Sequence, residues 1–420
     1  MTSNLKIAVI GGGISGLTAA HLLSEKHTVS LFEAGDYLGG HTNTEDVTID
    51  GKRYAVNTGF IVFNDWTYPN FIKLMDSLDV KSEDSDMSFS VHCENSGLEY
   101  AGTNIGTLFA QKRNLFKPSY WKMLLDIIKF NKQAKLLLEA NEVPNVTLGE
   151  YIDSEGFGRL FRDKYIIPMG AAIWSASEEV MLSFPLPFFL KFFNNHGLLN
   201  VENRPQWRVI SGGSRSYVKP LSQRFSERAV TNRPVESVTR SADGVRINFA
   251  DGELAQFDEV VFACHSDQAL ALLKDSTDHE KEILGAIPYQ HNDVVLHTDT
   301  RLMPKRRAAW ASWNYHIPQR LTDQATVTYH MNRLQNFDDC PEELLVTLNR
   351  SQDIDPSKII KSFSYAHPVF SGDGEIAQGR WKEISGHNRS HFCGAYWRNG
   401  FHEDGVFSAV RVAEHFGISL

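Results

Sequence analysis

The stretch Lys6-Ile7-Ala8-Val9-Ile10-Gly11-Gly12-Gly13-Ile14-Ser15-Gly16 decides how this chain is read. Its first five residues form an apolar run of strand length, three glycines break the run, and Leu17, Ala20 and Leu23 then recur at helical spacing. A second apolar run, His27 to Glu33, follows with Val29, Leu31 and Phe32, so the segment reads as strand, turn, helix and strand. Gly11, Gly13 and Gly16 satisfy GxGxxG in the context that the motif requires. Gly11 permits the tight turn, Gly13 leaves room for a pyrophosphate, and Gly16 lets helix and sheet pack closely. Ile14 and Ser15 open the helix whose N-terminal amides face the phosphates. Glu33, just before Ala34, lies 22 residues after Gly11, near the spacing of a carboxylate that hydrogen-bonds a ribose hydroxyl. A carboxylate there disfavours a 2′-phosphate. The motif alone does not separate NAD from FAD, which share the ADP moiety.

At 420 residues the chain is longer than one core usually holds, and two lobes are expected. Hydrophobic residues at 42% and charged residues at 22% exclude disordered, collagenous and coiled-coil classes. A net charge of −9 disfavours nonspecific nucleic-acid binding. Cys93, Cys264, Cys340 and Cys393 lie far apart without CxxC spacing, which argues against a disulfide framework and a zinc site and for a reducing compartment. The amino terminus lacks signal-peptide features, so a cytoplasmic protein is expected. The most apolar stretch, Phe184 to Phe193, is broken by Pro185, Pro187 and Lys191 and is too short to span a bilayer. No HExxH, paired Cys/His set or GxSxG is present, so no metal and no serine chemistry are expected.

Further along, Pro69 to Leu78 reads as helix and Ser88 to Ala101 as strands around Asn95-Ser96-Gly97. A long amphipathic helix is expected from Tyr120 to Ala140, its apolar residues Trp121, Leu124, Leu125 and Ile128 at i, i+3, i+4 and i+7. Strands are expected at Val235 to Val238, Val245 to Phe249, Asp258 to Ala263, Val294 to His297, Thr326 to His330 and Ser390 to Gly394. A terminal helix is expected from about Gly405 to Phe416.

Six residues beyond Glu33 the chain reads Gly39-Gly40-His41-Thr42, then Asn57-Thr58-Gly59, and near the carboxyl end Cys393-Gly394-Ala395-Tyr396 and Gly400-Phe401-His402-Glu403-Asp404-Gly405. Together with the GxGxxG unit these stretches resemble the flavin-containing amine oxidoreductase superfamily. The resemblance implies a glutathione-reductase-type FAD fold of the α/β class, a Rossmann-like domain with a discontinuous α+β, amine-oxidase-like substrate domain. It implies non-covalent FAD, with an FAD-binding domain at 1–75, 205–275 and 385–420. The substrate domain would take 76–204 and 276–384, with a mostly helical part at 105–200. His41 stands where the family has Arg, and Asn57 where it has Asp. Ala395 replaces a common acid, which Glu403 or Asp404 would then supply. By the same resemblance Gly39, Gly40, His41, Thr42, Thr58, Gly59, Val235, Ala263, Gly405 and Val406 join the cofactor site, Val235 through its backbone to the adenine, and the terminal helix points its amides at the flavin. Cys393 is read as a buried free thiol in preference to a flavin thioether.

His41 to Thr44, Thr58 to Asn64, Pro168 to Ser175 and His402 to Gly405 are similar to a bacterial subgroup of predicted NAD/FAD-binding proteins, itself similar to flavin enzymes that desaturate or isomerise fatty acyl chains. The resemblance implies a lipid or fatty acyl substrate and, as a partner, a cyclopropane-fatty-acid-synthase-like methyltransferase. Phe184, Phe188, Phe189, Phe192, Phe193 and His196 either line an acyl tunnel or form the core of the second lobe. Lys112, Arg113, Lys117 and Lys122 among Phe116, Tyr120 and Trp121 suit either a solvated helix face or peripheral contact with the inner face of a membrane. Lys305-Arg306-Arg307 beside Trp310 and Trp313 invites the same pair of readings, or a carboxylate or phosphate head group. Phe401 falls where amine oxidases carry an aromatic residue flanking the flavin. His402, His196 and Tyr100 are the acid/base candidates. The expected activity is FAD-dependent oxidation, desaturating an unsaturated acyl chain by allylic hydride transfer. The alternatives are double-bond isomerisation, amine oxidation, and a lipid-binding accessory role beside a methyltransferase.

Overall fold

The computed structural model describes residues 4–200, 202–319 and 324–420, so Met1-Thr2-Ser3 lies outside it. The opening unit forms as its pattern requires: β1 (Lys6–Ile10), α1 (Ile14–Leu23) and β2 (Thr28–Phe32). With β3 (Ala229–Val230), β4 (Glu259–Phe262) and β5 (Ser390–Phe392) these strands build a parallel sheet in the order β3-β2-β1-β4-β5. Ile7, Ala8 and Val9 on β1 and Val260, Val261 and Phe262 on β4 are fully buried, the continuous apolar pattern of strands covered on both faces. Helices α1 and the terminal α6 (His402–His415) pack on this sheet. Between them the chain forms α2 (Pro69–Ser77), α3 (Pro118–Ala140), α4 (Ile167–Trp174) and α5 (Leu186–Asn195).

The second lobe is built on a seven-stranded mixed sheet in the order Ile359–Pro368, Tyr289–His297, Leu345–Leu348, Val327–His330, Trp313–Ile317, Phe89–Cys93, Leu98–Ala101. The hairpin expected around Asn95-Ser96-Gly97 is its edge. Helices α3, α4 and α5 enclose an aromatic core containing Tyr120, Phe130, Phe161, Phe184, Phe189 and Phe193. Among the described residues no helix is long and apolar enough to cross a membrane.

Packing divides the chain more finely than the expected boundaries. Ile283, Leu284, Ile287, Ala377, Trp381 and Ile384, assigned from sequence to the substrate part, join the core of the parallel-sheet lobe. Conversely Val47, Tyr54 and Val56, from the ribbon Thr44–Ile49 and Lys52–Asn57, pack against the large sheet, because the alternation along a ribbon leaves one face to bury. In α3 the helical period is right but the buried face is not the expected one. Tyr120, Met123, Phe130 and Ala134 point inward, while Trp121, Leu125 and Ile128 are exposed. The terminal helix begins three residues earlier than expected, at His402, because the Asp404 carboxylate accepts the Phe401 amide at 2.9 Å and closes the first turn.

A buried ion pair fastens the lobe. Arg240 donates to the Glu280 carboxylate, Nη2 to Oε2 at 2.9 Å, to Asp275 and to the Ser390 hydroxyl at 3.1 Å, joining the strand Val235–Ser241, the helix Asp278–Gly285 and β5. The paired guanidinium and amide donors hold the Glu280 carboxyl below its ordinary range against the opposing cost of burial. Glu280→Ala leaves a buried guanidinium unmatched and is expected to cost about 3–5 kcal/mol in denaturant unfolding. A loss below about 1 kcal/mol would show that the pair behaves as a solvated one.

Candidate functional site

The glycine-rich turn lies at the carboxyl ends of β1 and β4, where a doubly wound sheet opens a crevice. Gly11 adopts φ +106°, and a Cβ there would stand 2.9 Å from the Ala263 carbonyl and the Cys264 amide. A Cβ on Gly16 would meet the Gly11 carbonyl oxygen at 1.9 Å. Beside Gly13, by contrast, a Cβ would meet nothing within 4 Å. The two outer glycines are therefore required by packing, and the middle one borders free space.

Other segments close around that space. Gly39 donates its amide to the Gly12 carbonyl at 2.8 Å, laying Gly39-Gly40-His41-Thr42 beside the turn. Gly59 carries the next segment in, and a Cβ on it would lie 2.3 Å from the His41 carbonyl oxygen. At the start of α6 a Cβ on Gly405 would stand 2.8 Å from Ile14 Cγ2 and 2.9 Å from Ser15 Oγ, so α1 and α6 meet at their N-termini. Both positive dipole ends then serve one region, and Val406 is buried behind them. The Glu33 carboxylate accepts the Gly12 and Gly35 amides, each at 2.7 Å, which fixes it at the end of β2 with lone pairs to spare for a ribose. Ala34 is exposed next to it, and the Arg233 amide donates to the Glu33 carbonyl, bringing Val235 to the same end of the sheet.

Beneath the crossing lies a polar knot that the sequence did not announce. His402 Nε2 sits 3.0 Å from both Thr42 Oγ1 and Tyr217 Oη, those two hydroxyls hydrogen-bond each other, and the imidazole stacks on Phe60 with centroids 3.6 Å apart. Burial pushes the His402 pKa down to about 3, so the ring is neutral. It positions the start of α6 on the Gly39–Thr42 loop, and the expected acid/base role is corrected to this one. Asn57 takes a comparable part: its Oδ1 accepts from Thr44 Oγ1 and from the Ser214 amide and hydroxyl. Thr58 Oγ1 contacts Tyr365 Oη at 2.9 Å. His41, in place of the family's Arg, is held well below its ordinary pKa by burial and by His367, and so carries no fixed charge.

The acids of the closing motif also need correction. Glu403 accepts from the Asn70 amide and side chain and from the Phe71 amide, capping α2. Asp404 accepts from Asn399 and Phe401 amides. Both acids are thus engaged within the protein, Glu403 by three donors of α2 and Asp404 by two amides on Oδ2 with Arg398 Nη1 3.6 Å from Oδ1. Tyr100 is corrected as well: its hydroxyl donates to the Lys164 carbonyl at 2.6 Å, its ring packs on Tyr120, and burial drives its pKa far up. Of the cationic run, Arg307 pairs with Glu343 and stacks on Trp310, while the Lys305 and Arg306 amides donate to the Glu99 carboxylate.

His196 and Phe401 do come together. Phe401 packs against the cores of both lobes and so stands at their seam. Phe192 stacks on it at 5.3 Å and on His196 at 3.9 Å, and Phe188 stacks on Phe370, whose ring borders Gly400. His196 Nδ1 donates to the Phe192 carbonyl at 3.0 Å, and burial lowers its pKa to about 4. The wall at the seam is aromatic and uncharged.

Burial pushes the Asp404 pKa up to about 6, against about 3.9 unfolded. The native state thus holds a proton that the unfolded chain has released, and stability falls as pH rises between these values. Asp404→Asn keeps an acceptor and is expected to flatten that slope, by roughly 1–3 kcal/mol, in urea unfolding at pH 4 to 7 monitored by circular dichroism. An unchanged slope would mean that Asp404 ionises freely in the native fold.

These features meet the demands of a flavin dinucleotide. There is open space at Gly13, the middle glycine of the motif, two helix starts, an acid at ribose spacing, and buried polar atoms without protein partners, among them His41 Nε2, Asn57 Nδ2 and Tyr396 Oη. The family model described as flavin containing amine oxidoreductase matches residues 14–307, more than half of the chain. Flavin-containing amine oxidase A of the dog, Canis lupus familiaris, is 24% identical over 272 residues, 61% of this chain and 49% of that protein; the match spans about half of that relative's length. The CLA-producing fatty acid isomerase from P. acnes has a similar structure, with a TM-score of 0.70 at 18% identity and 99% of both chains covered. A putative protoporphyrinogen oxidase from Exiguobacterium sp. 255-15 matches with a TM-score of 0.70 at 16% identity, again over 99% of both chains. Putrescine oxidase bound to putrescine matches at 0.66 and 14% identity, over 99% of each chain. Likeness at these identities shows the amine-oxidase-like fold. The cofactor is FAD, and its non-covalent binding agrees with the state of Cys393, which is fully buried with its thiol pushed up by burial. The chain belongs to the flavin-containing amine oxidoreductase family.

Proposed function

We propose that this FAD-dependent oxidoreductase acts on an unsaturated fatty acyl chain and removes hydride from an allylic carbon. FAD, when bound, supplies the hydride acceptor. The observation that carries the reading is the uncharged aromatic wall at the seam, Phe401, Phe192 and neutral His196, continuous with the phenylalanine-rich core behind it. Such a wall offers dispersion contact and excludes water, which an alkyl chain needs and a solvated ammonium does not. His196, whose Nδ1 is tied to the Phe192 carbonyl and whose pKa burial lowers to about 4, stays neutral on that wall and adds no charge to it. The structural likeness to a fatty acid isomerase supports an acyl substrate.

A second reading is amine oxidation, favoured by the family match and by the likeness to putrescine oxidase. An aromatic wall also accommodates a cation over ring faces. The two readings separate in one anaerobic experiment. The acyl reading predicts that phospholipid carrying monounsaturated chains bleaches the oxidised flavin band and that product analysis finds a second double bond. A shifted double bond without lasting bleaching would identify isomerisation at the same site. Bleaching by putrescine or a monoamine alone, with peroxide released in air, would overturn the acyl reading. Phe401→Tyr adds a hydroxyl to the apolar wall and is expected to lower kcat/KM for an acyl substrate roughly tenfold at unchanged flavin content. Unaltered kcat/KM would remove Phe401 from the substrate wall.

A further inference from the structure

Helix α3 presents a second set of apolar residues to solvent. Leu125 is 63% and Ile128 60% exposed, and the turn before the helix adds Phe116 at 86%. At 100° per residue, Trp121, Leu125, Ile128 and Leu136 share one stripe opposite the buried face of Met123, Phe130 and Ala134. Ile105 and Leu115 extend the patch past the helix start, where Trp121 Nε1 donates to the Leu115 carbonyl and ties turn to helix. Exposed apolar patches of this kind, rimmed by polar residues, mark interaction surfaces.

Charge identifies what the surface fits. Residues 105–140 contain seven Lys and Arg against two acids, in a chain whose net charge is −9. Lys132 lies within the stripe between Ile128 and Leu136, Lys135 borders it on one side, and Lys122, paired with Asp126, and Lys129, which donates to the Glu155 carbonyl, border it on the other, while Lys112, Arg113 and Lys117 neighbour Phe116 in sequence. An apolar stripe edged by long cationic side chains is the pattern of a helix lying in a lipid interface, rings and alkyl groups in the acyl boundary and ammonium groups among the phosphates. A second copy of the chain would set the same cations against one another. The acidic remainder of the molecule is repelled by an anionic surface and so orients this face toward it.

We propose that α3 and the preceding turn, with Phe116, Trp121, Leu125 and Ile128 as anchors, dock the protein on an anionic phospholipid bilayer. The inference stands on the exposed surface alone and is independent of the acyl reading. If both hold, the buried face of the docked helix abuts the aromatic core that reaches Phe401.

The test is co-sedimentation of the FAD-loaded protein with vesicles of phosphatidylcholine alone and of an equal mixture with phosphatidylglycerol. Binding to the mixed vesicles is expected, reduced roughly tenfold or more by Phe116→Ser with Leu125→Ser. Lys112→Glu with Arg113→Glu should abolish the preference for the anionic vesicles. Both variants change exposed side chains, and unchanged circular dichroism and flavin content verify the fold. Failure of the unmodified protein to bind the mixed vesicles would overturn the proposal. So would a dimer in size-exclusion chromatography that Phe116→Ser with Leu125→Ser splits, without vesicle binding.

Discussion

The close crossing of two helix starts organises this molecule. At Gly405 the terminal helix approaches Ile14 and Ser15 so closely that a Cβ there would press on both their side chains, at 2.8 and 2.9 Å. The amino-terminal and carboxyl-terminal ends of the chain are thereby joined at one point beside β1, and every other contributor to the cofactor region is placed relative to it. Gly39 hydrogen-bonds the turn, Gly59 packs under His41, and the His402–Thr42–Tyr217 knot holds the loop and helix together from below. The parallel sheet depends on the same economy of space, since Gly16 leaves no room between α1 and the Gly11 carbonyl.

The site grades from polar to apolar over a short distance. On one side are the N-termini of α1 and α6 and the Glu33 carboxylate, suited to phosphate and ribose. On the other, Phe401 stands where the cores of the two lobes meet, and from there the surroundings are aromatic. Buried histidines throughout the region are neutral, His41, His196 and His402 by desolvation first. The protein thus supplies dipoles, shape and dryness, and few ionised groups.

Much of this was legible in sequence because it is local. The strand, turn and helix around Gly11, the spacing to Glu33, and the hairpin at Asn95-Ser96-Gly97 each depend on a few neighbouring residues. What was misread depends on distant partners. His402 looked like an acid/base because its hydrogen-bond partners, Thr42 and Tyr217, lie 360 and 185 residues away in the chain. Glu403 looked like a cofactor ligand because nothing nearby showed that α2 would bring two amides to it. In α3 periodicity locates the helix but cannot choose between two apolar faces; packing chose Met123 and Phe130 and left Leu125 and Ile128 outside.

The central claim is that the crossing of α1 and α6 builds the FAD site. It is tested most directly by the visible spectrum and extracted flavin of the purified protein and of Gly405→Leu, with circular dichroism as a check on folding. One FAD per chain is expected in the unmodified protein, and Gly405→Leu is expected to be folded but flavin-free. Retention of FAD by the folded variant, or a native protein that neither contains nor takes up FAD, would contradict it.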